Sequence, residues 1–179
     1  VNWVFLITII FTFSCTDTQT FQLKNGDLLF QDLDSSPLCD AIEKVTSGFD
    51  NLNFSHIGIV VIFNENKYVL EAFVNGVDTV PLESFLKRSL SKKNKPKVLV
   101  GRLKNPYTKL IPEALKIGME LTGKKYDEEF KINNDKFYCS ELIYDIFWKA
   151  NKQKSFFHLQ PMTYKYNGEI IDIWIDYFN

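Results

Sequence analysis

Apolar and turn-forming residues alternate along the first half of the chain. The apolar runs are short and rich in β-branched residues, which is typical of strands, and the Asn- and Gly-containing steps between them are typical of turns. Two segments with helical spacing, 41–49 and 82–90, predict short helices. The apolar runs themselves predict five strands, at residues 28–30, 56–63, 68–74, 77–80 and 97–103.

The second half of the chain changes to helical spacing. Pro112 and Gly123 have the positions expected for the first residue of a helix and for the residue after its end. A further helix is predicted over 137–150, with apolar residues on one face and polar residues, among them Glu141, on the other. Residues 170–178 alternate in part and predict a last strand or an edge segment. Strands that precede helices indicate an α+β fold, with a small antiparallel sheet or barrel packed against helices.

The composition is that of one globular domain with a substantial core. The 179 residues are 45% hydrophobic and 24% charged, and they include 16 Phe and 8 Tyr. The net charge of −1 lacks the basic excess that nucleic-acid binding needs, so no nucleic-acid partner is expected. Three cysteines without a CxxC pair and only two histidines predict neither a disulfide framework nor a metal site, and no cofactor is expected.

The first fifteen residues have the pattern of an export signal. Residues 1–13 are nearly all apolar but fall short of the about 20 that a transmembrane helix needs, which fits the apolar region of a secretory signal. Cys15 follows a serine and precedes a polar stretch, as at a bacterial lipoprotein processing site. We expect a signal at 1–15, with Cys15 either lipidated as a membrane anchor or incidental to simple cleavage. One domain, 21–179, then works in the cell envelope, and its oligomeric state is left open.

Cys139 is the strongest candidate nucleophile. It lies at the start of a predicted helix, after the possible capping residues Asn133, Asn134 and Asp135. The unpaired N–H groups and the positive end of the helix dipole favour a thiolate there and lower the pKa of the thiol. An inert, buried cysteine on an apolar helix face would have the same pattern, so the catalytic interpretation requires a base nearby.

His56 and Glu71 are the candidate partners of that thiol. His56 begins an apolar strand, where a neutral imidazole could take the thiol proton. Glu71 interrupts the otherwise apolar strand at 68–74, and a carboxylate there is costly unless it is paired. If the two strands form a hairpin, Glu71 could accept the second N–H of the imidazole and fix its tautomer. The alternatives are a structural histidine and a glutamate that faces solvent.

Tyr126 is a further candidate, ahead of the predicted cysteine helix. Its hydroxyl could help to hold an oxyanion together with the Cys139 backbone N–H, or the ring could simply pack under a loop. His158 follows the helix in a loop, and nothing in its surroundings favours a catalytic role. We therefore expect His158 to be a surface or structural residue.

Several segments in this order resemble the permuted NlpC/P60 enzymes, and most closely the YiiX/YaeF-like permuted papain-like amidases. The resemblance extends from about Gly26 to Pro161. Its segments are NGDLLF at 25–30, SHIGIV at 55–60, LEA at 70–72, GKKYD at 123–127 and FYCSEL at 137–142. The histidine precedes the cysteine, which is the permuted order.

This resemblance implies a circularly permuted papain-like fold in which the sheet carries His56 and Glu71 and a helix carries Cys139. It also implies thiol attack on an amide or ester carbonyl through an acyl-enzyme. Three hypotheses follow. The first is an amidase or peptidase acting on cell-wall peptides or related amino-acid amides, and the second is a lipid acyl hydrolase or acyltransferase, which requires an apolar groove beside Cys139. The third is a binding module without turnover.

Overall fold

The structure is a computed structural model that describes residues 21–46 and 48–179. The expected export signal at 1–15, including Cys15, lies outside the described residues. Among the residues that are described, no helix is both long enough and apolar enough to cross a membrane.

Five antiparallel strands form the main sheet, in the spatial order β4-β3-β2-β1-β5. Each predicted strand is confirmed to within a few residues. The α+β fold with a small antiparallel sheet is therefore confirmed. The strands are β1 (Leu28–Gln31), β2 (His56–Phe63), β3 (Asn66–Phe73), β4 (Gly76–Pro81) and β5 (Val98–Gly101).

Helices cover both faces of this sheet and occupy the C-terminal part of the chain. A two-stranded hairpin, β6 (Lys165–Tyr166) with β7 (Glu169–Ile170), precedes the last helix. A 3-10 turn at Tyr107–Leu110 leads directly into α3. The helices are α1 (Pro37–Val45), α2 (Leu82–Lys87), α3 (Ile111–Glu120), α4 (Cys139–Ala150) and α5 (Asp172–Phe178).

Two predictions of secondary structure were wrong, one in the bounds of a helix and one in the type of the last element. The helix expected at 41–49 begins earlier, because Pro37 occupies its first turn and Ser36 is the N-cap residue, and it ends at Val45. The expected last strand at 170–178 is helical from Asp172 onward. Helical geometry there buries Trp174, which is 2% exposed, so aromatic burial at a spacing of three to four residues outweighs the partial alternation.

The two faces of the sheet bury different cores, as the alternation along each strand requires. Ile59 and Leu70 are paired across β2 and β3 and face the cluster formed with α3 and α4. Val60 and Val69 point the other way and pack around Phe85 of α2. The first residue of β2 therefore lies between these two layers, close to the N-terminus of α4.

Candidate active site

Cys139 is the first residue of α4, and its side chain is only partly exposed. The N-cap residue is Tyr138, which makes no side-chain capping bond, so the expected capping role of Asn133, Asn134 and Asp135 was wrong. The first-turn N–H groups remain available, and the Ser140 N–H is directed at the Cys139 sulfur.

His56 begins β2 and is 5% exposed. The Cys139 thiol is its neighbour, so that each group shifts the pKa of the other, and the Ile57 backbone N–H lies close to the same sulfur. The opposite ring nitrogen, Nε2, lies 2.7 Å from Glu71 Oε2. Nδ1 is therefore the nitrogen that faces the sulfur, and the two nitrogens of the ring have different partners.

Glu71 links the imidazole to a guanidinium. Its carboxylate is 2% exposed and lies on β3, the strand next to β2. Arg88, just after α2, donates from Nη1 to Glu71 Oε2 at 2.7 Å and from Nη2 to Oε1 at 2.5 Å. The bidentate geometry fixes the plane of the carboxylate, and so it also fixes the orientation of the His56 ring.

Aromatic rings and a glycine shape the space around the imidazole. The centroids of Phe73 and Phe85 lie 5.0 Å and 5.8 Å from that of His56, and the guanidinium carbon of Arg88 lies 4.4 Å from the Phe73 centroid. A Cβ on Gly58 would lie 2.4 Å from a Val69 methyl carbon, so glycine is required for close packing on this face. The His56 ring is therefore packed between aromatic side chains.

Three pKa shifts follow from these contacts. Burial alone would lower the pKa of His56, but its bonds to Cys139 and Glu71 outweigh burial and raise the pKa to about 9. Burial opposes ionisation of Cys139, yet the His56 bond, the His56 charge and the backbone N–H groups lower the pKa of the thiol. Glu71 is buried as well, and its bonds to His56 and Arg88 still lower its pKa. The arrangement favours a thiolate–imidazolium pair.

Two cavities meet at the N-terminus of α4. The first has a volume of about 510 Å³ and includes Cys139 and His56 in its walls; most of the remaining wall is apolar, with Phe30, Phe54 and Leu99 among its residues. The second has a volume of about 470 Å³ and extends along the other side of α4. Five residues line both cavities: Phe30, Ile42, Thr46, Ile57 and Ser140.

A family model described as the permuted papain-like amidase enzymes, YaeF/YiiX, C92 family, matches residues 22–173. That range includes every residue of the Cys139–His56–Glu71–Arg88 line. The chain belongs to the permuted papain-like amidase family. The resemblance inferred from the sequence segments is therefore confirmed, and so is the expected permuted papain-like fold.

Two proteins that are similar to this chain are both YiiX. The uncharacterized protein YiiX of Escherichia coli K12 is 29% identical over 130 residues, which is 73% of this chain and 60% of the relative. The chain thus matches about three fifths of that relative's length. A crystal structure described as that of metalloprotein YiiX from Escherichia coli O157:H7 is 28% identical, with a TM-score of 0.58 over 73% of this chain and 67% of that chain.

The remaining sequence candidates have different surroundings. Tyr126 is partly buried and bridges to Phe137, just before α4. Burial raises its pKa, with the nearby Cys139 charge as the next contribution, so the hydroxyl stays protonated and able to donate. His158 lines the second cavity and makes no contact with Cys139 or His56 among the described contacts, in keeping with the expectation from the sequence.

Sequence reasoning missed two residues of the candidate site. Arg88 lies within a Lys- and Arg-rich segment, and such a composition predicts a solvated surface. No local pattern distinguishes Arg88 from its neighbours. Glu141 was expected on the polar face of α4, but it is 7% exposed and lines the second cavity. A signal for Glu141 was its position in the first turn, where a carboxylate turns back toward the N–H groups at the helix start.

Proposed function

We propose that this chain is a cysteine amidase in which Cys139 is the nucleophile, His56 the general acid and base, and Glu71 the group that orients His56. The observation that supports it most is that Cys139 and His56 line the same cavity while the His56 ring is hydrogen-bonded through Nε2 to Glu71. A thiol whose pKa is lowered, at a cavity wall and beside an imidazole held by a carboxylate, is the arrangement that nucleophilic catalysis requires.

The proposed reaction has two halves. The Cys139 thiolate attacks the amide carbonyl carbon and a C–S bond forms, while the carbonyl oxygen becomes an oxyanion near the Cys139 backbone N–H and the Tyr126 hydroxyl. The intermediate then collapses as the C–N bond breaks and the His56 imidazolium protonates the leaving amine. Neutral His56 next takes a proton from water, which attacks the thioester, and the C–S bond breaks to release the acid and the thiolate.

The relative described as a metalloprotein raises the question of a metal in this chain. Among residues 21–46 and 48–179, no group of three or more His, Cys, Asp or Glu side chains lies close enough to hold a metal ion. The Glu71 carboxylate is already engaged by His56 and Arg88. The described residues therefore do not fit a bound metal, and no step of the proposed reaction uses one.

Cell-wall peptides and related amino-acid amides are the substrates that we propose first, because the family consists of amidases. A second candidate is favoured by one specific observation. The hypothesis of a lipid acyl hydrolase or acyltransferase required an apolar groove beside Cys139, and the first cavity has that character. An apolar acyl group in this cavity would gain about 0.8 kcal/mol for each methylene that it buries.

Product analysis separates the two candidates. The purified protein is incubated with muropeptides, with N-acyl amino-acid amides and with phospholipids, and the products are identified by mass spectrometry beside a Cys139→Ala control. New termini from the peptides or amides, absent in the control, would support the amidase. Free fatty acid from phospholipids alone would support the acyl hydrolase. Unreactive Cys139 and no products of either class would favour a binding module.

Export to the cell envelope and anchoring through lipid on Cys15 also remain proposals, which rest on the apolar segment at 1–13. Metabolic labelling with an alkyne fatty acid tests them in the full-length protein. Label that depends on Cys15, tested with Cys15→Ser, is the expected result. Label that persists in the variant, or no label on a protein found in the membrane fraction, would contradict lipidation.

A further inference from the structure

The second cavity contains a buried carboxylate that faces no Lys or Arg among the described residues of the cavity wall. Glu141 is 7% exposed, and its Oε2 atom is buried with no hydrogen-bond partner among the described residues. The cavity that it lines has a volume of about 470 Å³. A buried acceptor without a partner costs free energy, so the site would gain from a ligand that supplies a donor.

The charges near Glu141 make this cavity electronegative. Burial raises its pKa to about 7, with the carboxylates Asp127 and Asp145 acting in the same direction and the backbone N–H groups of Tyr138 and Asn133 opposing them. The described residues that line the cavity include no Lys and no Arg, and His158 is the one basic side chain among them. No permanently charged cation therefore faces the carboxylate from this lining, and a bound ammonium would stabilise its ionised form.

Aromatic side chains complete the walls around this carboxylate. Tyr138, Tyr144 and Trp174 line the same cavity, and the faces of such rings attract ammonium groups. The Trp174 indole N–H is also buried without an acceptor among the described residues. An amine donor next to a carbonyl or carboxylate acceptor, as in an amino acid, would satisfy both unpaired groups.

We propose that this second cavity is a subsite for an ammonium-bearing group of the substrate, held by the Glu141 carboxylate between aromatic walls. Its link to catalysis rests on the function proposed above. Ser140 and Ile57 line both cavities, so an amide carbonyl at Cys139 would have one side in the apolar cavity and the other toward Glu141. The substrate class is an amide with an apolar group on one side and an amine on the other.

Binding of two matched probes tests the subsite without any turnover. Benzylammonium and benzyl alcohol are titrated into the full chain at pH 8, where Glu141 is ionised, and their affinities are measured by calorimetry or NMR. We expect the ammonium to bind about tenfold tighter or more, as a charge-assisted bond predicts. Equal affinities on the unaltered protein would overturn the proposal, whatever any variant does.

Two variants then assign the preference to one carboxylate. Glu141→Gln keeps the shape and should abolish the preference for the ammonium probe. Glu120→Gln removes an exposed carboxylate of α3 and should leave the preference unchanged. A preference that survives Glu141→Gln would refute the assignment.

A kinetic comparison separates failure of the subsite from failure of the proposed function. Two amide substrates that differ only in a free or an acetylated amine are offered to the protein. We expect KM to be lower for the free amine, Glu141→Gln to remove that difference, and the exposed control Glu120→Gln to leave it in place. Equal KM values with Cys139-dependent turnover would reject the subsite alone. Absent turnover with an intact probe preference would reject the proposed function alone.

Discussion

Glu71, which is bonded to His56, and Glu141, which lies two residues after Cys139 in α4, are two buried glutamates with opposite electrostatic surroundings. They are 2% and 7% exposed, so burial raises the pKa of both carboxylates. At Glu71 the bonds to His56 and Arg88 overcome burial, and the pKa is lowered. At Glu141 no Lys or Arg lies in the described part of the cavity wall, and burial raises the pKa to about 7.

The difference shows that partners rather than depth decide the state of a buried carboxylate. At Glu71 the lowered pKa favours the anion, and its charge supports an imidazolium on His56. Glu141 has no partner from the described residues of the chain, so its charge depends on what enters the cavity. In the proposed function Glu71 thus orients the catalytic imidazole, whereas Glu141 has the properties of a group that recognises a ligand.

The largest expected effect comes from Cys139→Ala. Loss of the nucleophile should reduce amide hydrolysis by about 10³-fold or more. The preference for benzylammonium should remain, because Glu141 and its cavity are unchanged. Initial rates from mass spectrometry and a thermal unfolding curve provide the measurements. Turnover within tenfold of the unaltered protein would contradict the assignment of the nucleophile.

Glu71→Gln should have the next largest effect. The amide can still bond one ring nitrogen but supplies no charge, so we expect kcat/KM to fall by about 10- to 100-fold, less than for His56→Ala. Glu71 raises the pKa of His56, so its neutralisation must lower that pKa. The alkaline limb of the kcat/KM profile, near pH 9 in the unaltered protein, should therefore move to lower pH. A silent variant would remove Glu71 from the site.

Arg88→Met should have a smaller effect on rate and a clear effect on stability. Removal of the guanidinium leaves Glu71 buried with one partner fewer, and we expect a loss of about 2 kcal/mol in the free energy of unfolding with a several-fold loss in kcat/KM.

Arg102→Met is the matched control for that variant. Arg102 makes a similar bidentate pair with the buried Asp27, away from the site. Its loss should destabilise the fold without moving the alkaline limb of the pH–rate profile. The pH–rate profiles of Arg88→Met and Arg102→Met are measured by initial rates from pH 5 to 10. If the two profiles are the same, a positioning role for Arg88 is refuted.

The smallest effect is expected for Glu141→Gln. Unlike Arg88→Met, this substitution should raise the free energy of unfolding. The folded-state pKa of Glu141 is raised, so ionisation costs the folded protein stability as pH rises from about 4.5 to above 7. At pH 8 the variant should therefore be more stable than the unaltered protein, by about 1 to 3 kcal/mol, and at pH 4 it should be similar. Urea unfolding at both pH values measures this. A loss of stability at pH 8 would show that Glu141 already has a counter-charge.

The sequence was informative where one local pattern determines the structure. The apolar run that begins at His56 predicts a strand, and the single carboxylate in the run around Glu71 predicts a buried partner, because an unpaired charge there is costly. Both features lie on adjacent strands of a hairpin, so their contact required only a short-range inference. The order of motifs, with histidine ahead of Cys139, predicted the family.

The rest depended on contacts that no local pattern encodes. Arg88 reaches Glu71 across the sheet from a segment that looks solvated, and only the packing of α2 on the sheet brings the two together. The position of Glu141 on α4 suggested a solvent-facing side chain. The residues that share its cavity come from distant parts of the chain: Trp174 lies in α5, where a strand was expected, and residues 157–163 lie in the loop after α4.

The central claim is that the His56–Glu71 pair keeps Cys139 as a thiolate, and the pH dependence of its alkylation tests this most directly. The rate of iodoacetamide modification at the Cys139 peptide is followed by mass spectrometry from pH 4 to 10. We predict an inflection well below the ordinary thiol value of about 8.5, which moves upward in Glu71→Gln. An inflection near that ordinary value in the unaltered protein, unchanged by the substitution, would contradict the claim.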